Sequence, residues 1–376
     1  MNEKIYKRQS DDCRCHSRSN GNNLYHARRD SHYFRANTMT DFLTDIVDKF
    51  GDSVLVDSTD VVDVIPTGSI SLDVSIGVGG IPRGKITELF GSESSGKTTL
   101  AISVVKNALK LGLKSLYIDA ENMLDYGLLR DMVGQEFNKE QLVILNPETA
   151  EDAFNMIEMG LGSGDFQLII LDSVGSMAPK KEQEDDFEDA NVALLARLVT
   201  KFLRRNAHVI AEKNIALLLL NQVRSKIGAY MASFETPGGH ALKHFTSLRI
   251  SLSRGQEMKI GNETVGIMTK FVIKKNKLSA PFRSFTIPIV FGKGIDEYSD
   301  AVDFCSMLGV IKKKGSYYKF EDVTLGQGKL QAGDYLEKHP ETLDKIKVSV
   351  YNVLNKYTTI DVDALADVEE EEIKDE

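Results

Sequence analysis

The stretch 86-ITELFGSESSGKTTL-100 decides how the chain is read. An apolar run of strand character ends at Gly91, and a helical pattern starts near Lys97. Between them stands Gly-x-x-x-x-Gly-Lys-Thr, residues 91–98. Gly91 and Gly96 let the backbone of Ser92, Glu93, Ser94 and Ser95 turn its N–H groups toward an anion, and the helix start adds its own unsatisfied donors. Lys97 is spaced to meet β- and γ-phosphates and Thr98 to ligate Mg²⁺, with Thr99 next in the first turn. Strand before and helix after are the context this motif needs, so the stretch predicts a nucleoside triphosphate site.

Outward from that loop, the text alternates buried-strand runs with helical patterns. The runs are 86-ITELF-90, 115-SLYID-119, 142-LVIL-145, 168-LIILD-172 and 215-IALLLLN-221, with helices expected near 98–111, 150–160 and 190–212. After 221 come 248-LRISLS-253, 265-VGIMTKFVI-273 and 283-RSFTIPIVF-291, β-rich segments for which no intervening helix is expected from 221 onward. This predicts an α/β class: a P-loop ATPase core with a mainly parallel central sheet, extended by antiparallel strands, plus a small C-terminal α+β module. The expected divisions are a disordered extension over 1–38, a short N-terminal segment over 39–65, the core over 66–295, a C-terminal domain over 296–358 and an acidic disordered tail over 359–376. A short helix is expected at Thr40–Phe50, and Met39 is an alternative start of translation.

Two of the strands end in acids. Asp172 closes the fourth apolar run, at the carboxyl end of a core strand where open α/β sheets bind ligands, and is placed to help hold Mg²⁺. Glu121 lies just past 117-YIDA-120; a water-polarising acid and an ordinary loop acid are both consistent with its spacing.

Composition limits the partners less than it first promises. The 376 residues carry 46 Lys and Arg against 55 Asp and Glu, a formal charge of −9. Residues 1–38 are net basic, while 361–376 hold nine acids against one lysine, leaving the middle close to neutral. Nucleic acid is therefore not excluded, since local bases decide it. Three cysteines (Cys13, Cys15, Cys305) make no disulfide framework, and no apolar run reaches membrane-spanning length. A reducing, cytoplasmic setting without membrane contact is expected.

The series 67-TGSISLD-73, 77-GVGGIPRGKITELFGSESSGKTTLA-101, 118-IDAENMLD-125, 171-LDSVGSMAPK-180, 221-NQVRSKIG-228, 235-ETPGGHALK-243 and 275-KNKLSAPF-282 closely resembles bacterial-type RecA recombinases over about 60–345. The resemblance implies ATP as nucleotide with Mg²⁺, and Glu121, Lys97 and Gln222 as the catalytic set. Asp125 matches the acid near the ribose and base, and Ser173 follows Asp172 as the family expects. Lys275, Lys277 and Phe291 match groups that reach the neighbouring subunit's nucleotide.

Two mobile DNA-binding loops are implied as well, Glu184–Ala193 and Val223–Gly239. The first is acidic, so positive charge is expected from Arg197 and Arg204 on the next helix, with Phe187 as a wedge between bases. The second offers Arg224, Lys226, Gly238 and Gly239, with Tyr230 and Phe234. The implied partners are single- and double-stranded DNA, further copies in a head-to-tail helical filament, and self-cleaving proteins of repressor type. The implied function is ATP-dependent strand exchange in recombination, repair and the SOS response. A ring-forming helicase or repair ATPase, or a filament using ATP only for assembly, are the competing readings.

Departures from the pattern are visible. Leu128 stands where an aromatic often meets the adenine, so base stacking is expected to be weaker or to come from Tyr126; His244 replaces a frequent aromatic; and the second loop is one residue shorter, at Pro237. For the acidic tail two readings stand: a solvated tail, or, as the resemblance implies, one that competes with DNA for basic surface.

Overall fold

The structure is a computed structural model that describes residues 62–134, 138–184, 193–225, 234–281 and 283–358, together with Asp48. The N-terminal extension, nearly all of the segment 39–65, Phe187, Lys226, Tyr230 and the acidic tail lie outside the described residues, and the side chains of Arg224 and Phe234 are likewise not described.

The described chain begins with β1 (Val64–Ile65), which pairs antiparallel with β2 (Ile81–Pro82) on either side of α1 (Ile70–Ile76). Alternation then sets in: β3 (Ile86–Gly91), α2 (Lys97–Lys110), β4 (Ser115–Asp119), α3 (Tyr126–Val133), β5 (Leu142–Leu145), α4 (Ala150–Ser163) and β6 (Leu168–Asp172). A 3₁₀ turn at Val174–Ser176 and short α5 (Lys180–Glu184) lead to α6 (Leu194–Glu212) and β7 (Ala216–Gln222). Next come β8 (Arg224–Ser225), β9 (Phe234–Glu235), α7 (Gly239–Phe245), β10 (Leu248–Ile260), β11 (Glu263–Asn276), β12 (Ser284–Val290) and β13 (Gly294–Ile295). The chain ends with α8 (Glu297–Met307), β14 (Lys312–Lys314), β15 (Tyr317–Phe320), β16 (Val323–Gln327), α9 (Lys329–Lys338) and α10 (Pro340–Thr358).

The main sheet runs β13-β12-β11-β10-β3-β7-β6-β4-β5. From β5 to β10 every neighbouring pair is parallel; β11, β12 and β13 add on antiparallel. Strands covered on both faces read as unbroken apolar runs. Leu168 and Ile170 face the layer containing α2, while Ile169 and Leu171 face the layer of α4 and α6. A third core joins Ile70 and Val74 of α1 to the C-terminal elements, including Phe304, Leu336 and Ile346.

Two expectations need correction. A helix, α7, does lie between β7 and β10, and it supplies the crossover that a parallel β10 requires. The antiparallel extension therefore starts one strand later, at β11. The β10–β11 hairpin also runs to Ile260 and Glu263, well beyond the apolar pattern; its outer half is exposed and polar, so backbone pairing extends it without an apolar signal. Among the described residues no helix is long and apolar enough to cross a membrane.

Candidate functional site

The phosphate loop crosses from β3 to α2 at the carboxyl ends of the parallel strands. Its glycines are sterically required. A Cβ at Gly91 would stand 2.1 Å from the Leu252 carbonyl oxygen, and one at Gly96 would stand 2.4 Å from Ile289 Cδ1. Gly96 also has φ of 90°, a left-handed conformation that costs glycine little.

No side chain caps the first turn of α2, although α1, α3 and α4 are capped by Ser69, Asp125 and Thr149. Ser95 Oγ is buried and has no hydrogen-bond partner among the described residues. Unspent donors, a tight glycine turn and a free helix N-terminus fit a bound phosphate chain. Lys97 is buried, and its ammonium donates to the carbonyls of Gly91 (3.2 Å) and Ser92 (2.7 Å). Burial lowers its pKa, partly offset by Asp172, Glu121 and Glu93. A bound anion would relieve that cost.

Across the loop, Asp172 Oδ2 accepts from Thr98 Oγ1 at 2.8 Å and from the Tyr117 hydroxyl at 2.7 Å. Burial pushes the Asp172 carboxyl up to about 6, against the lowering effect of those two hydrogen bonds. A threonine hydroxyl beside a carboxylate is a hard oxygen pair of the kind Mg²⁺ takes.

Glu121 Oε1 accepts from Ser173 Oγ at 2.5 Å and from Gln222 Nε2 at 3.0 Å. Neighbouring Asp119 is committed elsewhere, accepting from the backbone N–H groups of Glu121 and Leu124. Lys97, Thr98, Glu121, Asp172, Ser173 and Gln222 thus gather at one end of the sheet. Asp125 caps α3 by accepting from the N–H groups of Gly127 and Leu128. Leu128 packs half-buried against the core, whereas Tyr126 is half exposed.

The second loop leaves β7 directly after Gln222. Its base is a short ladder in which Arg224 pairs with Glu235 and Ser225 with Phe234. Gly238 and Gly239, with φ of 95° and 72°, start α7, and a Cβ at Gly239 would lie 3.2 Å from Ala196 Cβ. The loop's end therefore abuts the first turn of α6. There Arg197, Lys201 and Arg204 are exposed along one helix face and line a groove of about 470 Å³ together with Arg205. Lys201 is absent from the expected set, although its spacing from Arg197 puts it on the same face.

Beneath the loop, Asn221 donates to Glu88 Oε1 (3.0 Å) and to the Pro237 carbonyl (2.9 Å), while Arg249 pairs with the other Glu88 oxygen. Lys275 stands opposite Arg249 across the β10–β11 ladder. Lys275 Nζ donates to the Lys243 and His244 carbonyls at 2.7 and 3.0 Å, on the last turn of α7, and Lys277 and Phe291 are exposed.

Comparison with known proteins agrees with this geometry. A model of the RecA N-terminal domain matches residues 37–296, and one of the RecA C-terminal domain matches residues 299–355. The chain is 42% identical over 297 residues to the protein RecA of Thermus aquaticus, covering 78% of this chain and 86% of that one. It is 41% identical over 290 residues to the protein RecA of Aquifex aeolicus (77% and 83%), and 39% identical over 290 residues to that of Bifidobacterium breve (77% and 73%). The phosphate loop, the strand order and these matches together make the chain a member of the bacterial-type RecA family of DNA recombination and repair proteins.

Proposed function

We propose that the chain is a DNA-dependent ATPase that assembles head to tail on single-stranded DNA and exchanges that strand with a homologous duplex. The observation that carries this reading is the hydrogen bond from Gln222 to Glu121. Gln222 ends β7, and the chain passes through Val223 into Arg224 at the base of the second loop. The side chain that bonds the acid beside the phosphate loop thus stands two residues from the base of the DNA-binding segment, so a change at either is felt at the other.

In this reading the phosphate loop, Ser92 to Thr99, binds the ATP phosphates, and Lys97 offsets their charge. Thr98 and Asp172 would hold Mg²⁺, which supplies further neutralisation of the phosphate oxygens when bound. Glu121, oriented by Ser173 and Gln222, takes a proton from the attacking water. Asp125 meets the ribose and base. Lys275, Lys277 and Phe291 reach the nucleotide of the adjoining subunit, so hydrolysis depends on an assembled interface. A head-to-tail contact that does not close produces a helical filament.

Arg197, Arg204, Arg224 and Lys226, with the close-approaching backbone at Gly238 and Gly239, track the DNA strand. Base pairing between strands supplies sequence specificity, so the protein needs contacts only to backbone and shape.

The test is Glu121→Gln. Turnover with single-stranded DNA should fall by at least about a hundredfold, while filaments with ATP persist by electron microscopy. Loss of filament and turnover together would remove Glu121 from the catalytic role. ATPase activity that single-stranded DNA leaves unchanged at low salt would overturn the whole reading.

A further inference from the structure

Tyr117 occupies the middle of β4 and is 1% exposed, at a position where a buried strand ordinarily carries a purely apolar side chain. A phenolic hydroxyl taken out of water is costly unless it finds a partner. Here the partner is Asp172 Oδ2 at 2.7 Å, and the same oxygen accepts from Thr98 Oγ1 at 2.8 Å. The ring belongs to the core layer that contains Leu100, Ala101 and Val104 of α2. The hydroxyl is therefore held by packing rather than by a flexible stem, and the helix that carries Thr98 belongs to the same layer.

The neighbouring acid cannot take over this task. Asp119 stands beside Asp172 across the β4–β6 ladder, but its oxygens accept from the backbone N–H groups of Glu121 and Leu124. Asp172 is thus the strand-end acid turned toward Thr98. Its orientation depends on two donors, of which Thr98 is itself a prospective cation ligand.

We propose that Tyr117 is a positioning residue for the divalent cation, its hydroxyl holding the Asp172 carboxylate so that Asp172 and Thr98 present oxygens to one ion. The proposal rests on the nucleotide reading given above and adds a residue to it. A cation that draws the Thr98 oxygen to itself weakens one of the two restraints on Asp172, and Tyr117 keeps the other. Groups one step out from a metal typically set its affinity by 10–100-fold through this kind of orientation. A phenol that merely filled the core would leave metal affinity untouched.

The experiment compares the full-length wild-type chain with Tyr117→Phe, which removes the hydroxyl and keeps the ring. Binding of a fluorescent ADP analogue is measured in EDTA, and then Mn²⁺ is titrated into the nucleotide complex, with free Mn²⁺ followed by electron paramagnetic resonance. The expected result is nucleotide affinity in EDTA within about twofold of wild type and Mn²⁺ affinity lower by about tenfold. Mn²⁺ affinity that is unchanged or tighter overturns the positioning role. So does an equal loss of metal-free nucleotide binding, which would make Tyr117 a structural residue. A wild-type chain that binds no nucleotide would overturn the reading of the site as well.

Discussion

Two polar turns at helix starts, one before α2 and one before α1, use similar residues to opposite ends. Around α1, Ser69 and Ser71 donate to both oxygens of Asp300 on α8, the Ser71 N–H adds a third bond, and Ser75 donates to the Ser71 carbonyl. Thr67 N–H donates to Asp73, and Ser103 donates to the Thr67 carbonyl. In the phosphate loop, Ser95 Oγ is equally buried yet has no partner among the described residues, and the helix that follows has no side-chain cap. A cluster that closes on itself holds two elements together. A cluster left open at one side has capacity for something from outside.

The sharpest way to break this comparison is Asp300→Ala. It removes the shared acceptor of the Ser69 and Ser71 hydroxyls and the Ser71 N–H in a buried junction between α1 and the C-terminal module, where the bond between the two hydroxyls replaces it only in part. Loss of one partner from a buried charged network costs about 3 kcal/mol or more. Denaturant unfolding should show that loss without nucleotide present. A change under about 1 kcal/mol would mean the junction reorganises freely.

A smaller, pH-dependent effect is expected at Asp73. Burial pushes its carboxyl up to about 7, assisted by Asp300 and opposed by the Thr67 hydrogen bonds and by Lys347. The folded state therefore keeps this proton at pH values where the unfolded chain has released it. Stability falls as pH rises from about 4 to 7 and levels off above. Asp73→Asn removes the ionisation and retains an acceptor for Thr67. Its stability relative to wild type should rise through that window, by at most about 4 kcal/mol. A difference that stays flat from pH 4 to 8, measured by denaturation at fixed salt, would show that Asp73 is ionised at ordinary cost.

What the sequence made legible follows the same division. Strands β4, β5 and β6 begin and end where their apolar runs do, because both faces of each pack against core layers, fully for β4 and β6 and partly for the edge strand β5, and each run is bounded by polar or turn residues. The phosphate loop was readable because its chemistry is local: eight consecutive residues carry it. The role of 67-TGSISLD-73 was not readable, since Asp300 lies 229 residues from Ser71 and nothing local marks the pair. Tyr117 escaped for a different reason. Within a buried run its ring satisfies the apolar pattern, and only the fold reveals that the hydroxyl meets Asp172. Short α7 and the polar half of the β10–β11 hairpin were missed because neither carries an apolar period long enough to register.

The mildest prediction bears most directly on the open loop. Ser95→Ala removes a buried hydroxyl that bonds to none of the described residues, so folding should lose no hydrogen bond and be relieved of a desolvation cost. Its unfolding free energy without nucleotide should stay within about 0.5 kcal/mol of wild type. Ser71→Ala, by contrast, removes a 2.6 Å bond to a buried carboxylate and should cost about 1–3 kcal/mol. If the Ser95 hydroxyl is held for a phosphate oxygen, nucleotide affinity should fall by about tenfold in the same variant. A Ser95→Ala protein destabilised as much as Ser71→Ala would show that the loop is internally bonded, and its unpaired hydroxyl would cease to mark a ligand.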